Sequence, residues 1–202
     1  MTDPVQVGPW LLSRAAGVTA FLLASVAVVI GLTLGGRLSR RPGMARALRA
    51  VHEQAALGTL IAIAVHGLTL LFDRWLAPGP AGIAIPFVMG YRPLATGLGI
   101  IAGWLAALLG LSFYARRRIG AALWRRAHRW TVLVWLLAAV HTLTAGSDAS
   151  APWMRAILAV SATLVAALFA ARLAAGARRP APAVPAPVRA MAQPTYPEER
   201  AA

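Results

Sequence analysis

The chain of 202 residues is 59% hydrophobic and only 13% charged, about half the charged fraction of an ordinary soluble domain. It contains no cysteine, which excludes disulfides, iron–sulfur clusters and thiolate metal sites. The net charge of +14 is carried by arginines clustered between apolar runs. That pattern is typical of cytoplasmic loops and argues against a nucleic-acid-binding surface, so the composition predicts a protein embedded in the lipid bilayer.

Five apolar segments follow one another along the chain. About 20 helical residues cross a 30 Å hydrocarbon core, and the fourth segment reaches that length only with His128 and Arg129 at its entrance. The first lacks the basic region of a signal peptide and is predicted to be a retained helix. The predicted fold class is therefore all-α, a polytopic transmembrane helix bundle of about five spans within residues 10–175, after a short external N-terminus (1–9). The segments are Trp10–Gly35, Ala50–Phe72, Leu94–Tyr114, Trp130–Ala145 and Trp153–Ala171.

The arginines between the segments predict the orientation of the bundle. Five lie in the first loop and six in the third, whereas segments 73–93 and 146–155 together carry three. The positive-inside rule then places the N-terminus outside and the C-terminus in the cytoplasm of a bacterial plasma (inner) membrane. Segment 73–93 is predicted to fold over the outer surface as a cap or short interfacial helix. Residues 176–202, with six prolines, are predicted to form a disordered Pro/Ala/Arg-rich cytoplasmic tail.

The chain has four histidines, and they fall on two of the five segments. His52 and His66 lie 14 residues apart on the second segment, and His128 and His141 lie 13 apart on the fourth. Both helices run in the same direction, so His52 and His128 share an inner level. His66 and His141 share an outer level roughly 20 Å away. Two imidazoles facing each other across parallel helices are the axial ligands that a six-coordinate haem iron needs, so the pattern predicts two b-type haems.

Other interpretations of the histidines are open. Histidines within spans also form hydrogen-bonded contacts between helices. A two-histidine level without cysteine or a facing carboxylate is a poor zinc site, because Glu53 follows His52 directly and points elsewhere. A proton relay would need acidic residues in the middle of the spans. On an ideal helix, a spacing of thirteen residues places His141 about 140° around the axis from His128, which is not the same face. Helix tilt, a local irregularity or haems approaching from different sides would explain that difference.

Basic and aromatic residues near the histidines are candidates for supporting roles. Arg14 lies inside the first span near its outer end, where it would bind an outer haem propionate or extend to the lipid headgroups. Arg125, with its neighbours Arg126 and Arg129, flanks His128 and would serve the inner haem or act as an ordinary positive-inside residue. Trp104, Trp130 and Trp135 are candidates for packing on porphyrin edges, in the membrane belt or in the core.

The sequence resembles the ferric reductase-like transmembrane domain family over roughly Trp10–Leu173. The matching stretches are Val51-His52 through Val65-His66, Trp124-Arg125-Arg126-Ala127-His128-Arg129, and Val140-His141 followed by Ala145-Gly146-Ser147-Asp148. That family includes the haem subunit of bacterial methionine sulfoxide reductase systems and the membrane part of NADPH oxidases. The resemblance implies that His52 and His128 hold an inner haem and that His66 and His141 hold an outer one. It also implies electron transfer from a cytoplasmic donor to an external acceptor.

The chain differs from larger members of that family in having about five spans and no room for a flavin and nicotinamide domain. Electrons would then come from a separate flavoprotein reductase or from quinone. The external acceptor would be ferric iron, oxygen or a partner protein. These expectations describe a haem-dependent transmembrane oxidoreductase component. The alternative is a haem-free multi-pass scaffold or partner-binding subunit in which the histidines serve helix packing.

Overall fold

The computed structural model describes residues 4–35 and 42–177 of the chain. Within these ranges the regular structure consists of helices, and no strand occurs. Four stretches are long and apolar enough to cross a membrane, which confirms the predicted all-α polytopic helix bundle. They are Val7–Gly35, Gly43–Phe72, Pro93–Ile119 and Pro152–Ala175.

Seven α-helices and one short 3₁₀ turn make up the described part of the chain. Each of the four longest helices begins at a proline, a residue whose fixed φ and missing N–H suit the first helical position. The helices are α1 Pro4–Gly35, α2 Pro42–Thr69, α3 Gly79–Ala84, α4 Pro93–Ile119, α5 Ala121–His128, α6 Thr131–Ala145 and α7 Pro152–Ala177, and the 3₁₀ turn is Leu70–Phe72.

The fourth predicted span is divided between two helices. Helix α5 ends at His128 and α6 begins at Thr131, and the Trp130 N–H donates to the Ala127 carbonyl three residues back at 3.0 Å. The fifteen residues of α6 rise only about 22 Å, less than the 30 Å hydrocarbon core. The count of five spans and the orientation of the bundle therefore stay predictions. His128 and His141 lie on different helices, so the 140° expected for one ideal helix does not apply.

The most extensive helix contacts are those of α1 with α2 and of α4 with α6, while α7 lies against α1. A cluster of buried apolar side chains lies where α1, α6 and α7 meet; it consists of Phe21, Val28, Leu32, Trp135 and Val165. Large apolar side chains are exposed along the outer faces of the helices, among them Ile61 and Leu108, each at 66%. A water-soluble bundle would bury such residues, whereas hydrocarbon accommodates them.

The segment between α2 and α4 forms a compact cap. Asp73 is buried and its Oδ1 accepts the backbone N–H groups of Trp75 and Leu76 at 2.9 and 3.0 Å, which closes the turn after α2. Helix α3 follows, and its Ala84 carbonyl accepts the Trp104 Nε1–H at 2.8 Å. At the ends of the chain, residues 4–9 belong to α1, whereas 1–3 and 178–202, which include most of the predicted tail, lie outside the described residues.

Candidate functional site

The structure brings the four histidines together as two facing pairs. The ring centroids of His52 and His128 are 6.1 Å apart, and those of His66 and His141 are 6.3 Å apart. In each pair the ring planes are close to perpendicular, at 81° and 71°. We call His52 and His128 the inner pair and His66 and His141 the outer pair. The pairing is the one that the sequence predicts.

Three of the imidazoles are held by the same kind of hydrogen bond. Nδ1 lies 2.8 Å from the Ala27 carbonyl in His52, 2.8 Å from the Ser13 carbonyl in His66 and 2.9 Å from the Ala95 carbonyl in His141. A carbonyl only accepts, so Nδ1 carries the proton in each ring. The free lone pair is then on Nε2, which is the arrangement found in metal-ligating histidines oriented by a backbone carbonyl.

Glycines on the facing helices make room for these rings. A Cβ added at Gly31 would lie 3.2 Å from Cε1 of His52, and one added at Gly17 would lie 3.0 Å from Nδ1 of His66. On α4, a Cβ at Gly99 would lie 2.5 Å from Nδ1 of His141. Each glycine lies four residues after the carbonyl that its histidine bonds, so one helical turn supplies both the acceptor and the space.

A cavity of about 1870 Å³ connects the two levels and is lined by all four histidines. Ordinary small-molecule sites occupy about 300–1,000 Å³, so this space is large enough for two ligands of that class. Its walls are predominantly apolar, and the cap contributes Leu76, Ile83 and Met89 at the outer end. Segment 73–93 therefore forms part of the cavity wall, and its position over the outer membrane surface stays a prediction.

Arg14 has a protein partner that sequence reasoning did not identify. Its Nε donates to Oδ2 of Asp148 at 2.5 Å, and its Nη2 donates to Oδ1 of the same carboxylate. Both residues line the cavity, and the side chain of Asp148 is 11% exposed. The two roles predicted for Arg14, binding a haem propionate or reaching the lipid headgroups, stay predictions, and the structure adds an ion pair with Asp148. The sequence feature that could have indicated this pair is Asp148, an acidic residue seven positions after His141.

At the inner end, four arginines line the cavity: Arg125, Arg126 and Arg129 beside His128, and Arg172 near the end of α7. Arg125 thus lines the cavity, and its predicted role at the inner haem stays a prediction. Arg172 lies in the apolar helix α7. Its guanidinium lies over Gly35 at the end of α1, where an added Cβ would be 2.5 Å from Nη1.

The three tryptophans considered from sequence have different environments. Trp135 is buried at 5% exposure, stacks on Phe21 at 6.0 Å and donates its Nε1–H to Ser25 Oγ at 2.9 Å. It is therefore a core residue, at a position on α6 between the two histidine levels. Trp104 and Trp130 are 59% and 64% exposed, and both touch the cavity with part of their surface.

The geometry of each pair fits an iron held between two imidazoles. An imidazole centroid lies about 1 Å from its nitrogens, so facing Nε2 atoms would be about 4 Å apart, twice the ~2 Å metal–imidazole bond length. Two histidines alone would not hold a bare metal ion. Within residues 4–35 and 42–177, no three or more histidine, cysteine or acidic side chains lie close enough together to hold a metal ion. A porphyrin supplies the four remaining nitrogens, so the donor set suits haem.

Comparison with known proteins finds no matching family model, no matching curated protein and no matching solved structure.

Proposed function

We propose that this chain is a di-haem b-type membrane cytochrome that passes electrons across the membrane, as a haem-dependent oxidoreductase component of the ferric reductase-like kind. The inner pair would ligate one haem and the outer pair the other. The observation that carries the proposal is the pair of facing imidazoles at each level, with centroids 6.1 and 6.3 Å apart and no hydrogen bond between the rings. Centroids at this separation leave room for an iron between the two imidazoles, which helix packing alone does not require.

The bound haem would supply an iron that accepts and releases one electron. The chain's own residues would set the conditions for that exchange. The carbonyls of Ala27, Ser13 and Ala95 keep Nδ1 protonated and raise the basicity of Nε2. The apolar walls exclude water, and the inner arginines offer cationic partners to propionates. Fourteen residues of α2 separate the two levels by about 21 Å, a spacing that leaves a much shorter gap between porphyrin edges.

The partners of this cytochrome follow from the same proposal. The donor would be a separate flavoprotein reductase or a quinone on the cytoplasmic side, as the sequence led us to expect. The acceptor outside would be ferric iron, oxygen or a partner protein. The chain is a multi-pass membrane protein, and we place it in the bacterial inner membrane with its N-terminus outside, on the distribution of its arginines.

A haem-free scaffold or partner-binding subunit is the second candidate, and one observation favours it. Each of His52, His66 and His141 is already hydrogen-bonded to the backbone of a neighbouring helix, as a purely packing histidine would be. In a scaffold, however, Nε2 would need its own partner or would remain unpaired beside an apolar cavity. Haem iron accounts for that nitrogen, and this difference separates the two candidates experimentally.

The test is purification in detergent from haem-replete cells, followed by reduced-minus-oxidised spectra and haem quantification. We expect a b-type α-band and two haems per chain. His66→Ala and His52→Ala should each lose about half of the haem, the first from the outer and the second from the inner site. The α-band absorbance lost in the two variants should add up to the α-band absorbance of the wild-type protein.

A control comes from Ser161→Ala, a buried α7 residue that does not line the cavity and should keep full haem content. The absence of any b-type band in the wild-type protein would leave the scaffold as the function. One haem per chain, lost in only one of the two histidine variants, would contradict the four-ligand assignment.

A further inference from the structure

One histidine of the four, His128, has no backbone carbonyl to orient its ring within the described residues. His52, His66 and His141 each have a carbonyl of a neighbouring helix at Nδ1, at 2.8 to 2.9 Å. The Nδ1 of His128 is buried and has no hydrogen-bond partner there. Metal-ligating imidazoles take their orientation from such outer contacts, so a different contact has to orient the His128 ring.

The place of His128 in the fold limits which contacts can hold it. His128 is the last residue of α5, an eight-residue helix that is followed by the turn into α6. Gly120 separates α5 from α4 with φ at +87°, a backbone conformation that residues with a side chain rarely adopt. The most extensive contacts of α5 are with α4. The position of His128 therefore depends on how α5 is fixed to the end of α4.

A column of ring contacts joins His128 to α4. The Trp124 ring, one turn earlier on α5, stacks on the His128 ring, with centroids 5.0 Å apart and planes 26° from parallel. Trp124 also meets Phe113 of α4 in an edge contact, with centroids 5.8 Å apart. The Arg116 guanidinium lies 3.8 Å from the Phe113 centroid, and its Nη1 donates to the Phe113 carbonyl at 2.7 Å. These contacts provide His128 with a support on α4 that involves no hydrogen bond to its ring.

Trp124 contributes the face of its ring to this column and not its indole N–H. Its Nε1 is buried without an acceptor among the described residues, whereas the indole nitrogens of Trp104 and Trp135 donate to Ala84 and Ser25. A buried donor without a partner is destabilising, so the packing of the Trp124 ring has to outweigh that cost. A phenylalanine at this position would keep an aromatic face and would lose no hydrogen bond.

We propose that Trp124 is the positioning residue for the inner pair: supported by Phe113 and Arg116, its ring fixes the plane of the His128 imidazole where that imidazole faces His52. The inference rests on the proposed function and adds to it a difference between the two sites. Both outer ligands are oriented by carbonyls, whereas one inner ligand is oriented by aromatic contacts. A carbonyl at Nδ1 also makes an imidazole a more basic ligand, so His128 forms the weakest of the four bonds to iron.

The test measures how firmly each site keeps its histidines, with carbon monoxide as the probe. Carbon monoxide binds a six-coordinate ferrous haem only when an axial ligand leaves the iron. Full-length protein in detergent is titrated in two backgrounds, His66→Ala, which retains the inner site, and His52→Ala, which retains the outer site. We expect Trp124→Leu to raise the carbon monoxide affinity of the inner haem by about tenfold and to leave that of the outer haem unchanged. Trp124→Phe, which keeps a ring, should stay within about twofold of the parent protein.

Trp153→Leu is the matched control, because Trp153 lies on α7 and does not line the main cavity. It should change the carbon monoxide affinity of neither haem. Phe113→Leu removes the support behind Trp124 from a different helix. It should raise the inner affinity by about threefold, and it decides the question if Trp124→Leu fails to fold or to retain haem.

The outcomes separate the positioning role from the proposed function. An unchanged inner affinity in Trp124→Leu, or in Phe113→Leu where the first variant does not fold, would overturn the positioning role and leave the proposed function intact. An equal rise at both haems would also overturn it, because a general loosening of the bundle affects both sites. The absence of haem from both backgrounds with Trp124 in place would instead overturn the proposed function.

Discussion

Substitution of Gly99 by alanine tests whether the outer pair is seated as the structure describes. Gly99 lies on α4 directly against the His141 ring, and a Cβ there would lie 2.5 Å from Nδ1 and 2.7 Å from Cγ and Cε1. Gly103, one turn further along the same helix, faces Ile63 at 3.5 Å, an ordinary van der Waals contact. The two glycines therefore form a matched pair that differs only in what the new methyl group meets.

The expected magnitude follows from these distances. Ordinary contact begins at 3.4 Å, so the His141 ring must move by about 1 Å away from α4. That shift breaks the 2.9 Å hydrogen bond between Nδ1 and the Ala95 carbonyl, which belongs to the same helix as Gly99. Overpacking costs about 1–3 kcal/mol, and the gain in helix propensity offsets roughly 0.5–1 kcal/mol of it. The net effect is a loss of about 1–2 kcal/mol in the free energy of unfolding, and the displaced ring in addition weakens ligand binding at the outer pair.

The assay is haem content per chain together with the melting temperature in detergent. Gly99→Ala should lose much of the outer haem and melt lower, whereas Gly103→Ala should keep both haems and melt at the same temperature or slightly higher. Gly17→Ala, whose Cβ would lie 3.0 Å from Nδ1 of His66, should fall between them. Identical haem content and melting temperature for Gly99→Ala and Gly103→Ala would refute the seating of His141 against α4.

Two further predictions concern the ion pair and the topology. Arg14→Gln should destabilise the protein in thermal melts by a few kcal/mol, because it leaves the Asp148 carboxylate buried without its cation. Adding Asp148→Asn should recover part of that loss. A double variant no more stable than Arg14→Gln would contradict the coupling between the two residues. The chain has no cysteine, so Ser150→Cys and Ala122→Cys each introduce a single reactive thiol. In intact cells an impermeant maleimide should label the first and not the second, and the reverse pattern would invert the predicted orientation.

Much of the architecture could be predicted from the sequence because its causes are local. The partition of apolar runs into lipid depends on composition, and the level of a side chain depends on the 1.5 Å rise per residue. Those two quantities sufficed to pair His52 with His128 and His66 with His141. The division of the fourth predicted span into α5 and α6 was not predicted. The tight turn between Ala127 and Trp130 depends on how α5 packs against the rest of the bundle and not on hydropathy.

The surroundings of the histidines depended on the tertiary structure, because they join residues that are distant along the chain. Asp148 meets Arg14 across 134 positions, and His66 finds its carbonyl at Ser13 across 53. Which residues meet depends on how neighbouring helices are rotated about their axes and how closely they approach, and the hydrophobic periodicity of the sequence does not contain that information. The sequence by itself determined that four imidazoles lie at two depths of a bilayer. Only the packing of α1 and α4 against His52, His66 and His141 decided that these three rings keep Nε2 free.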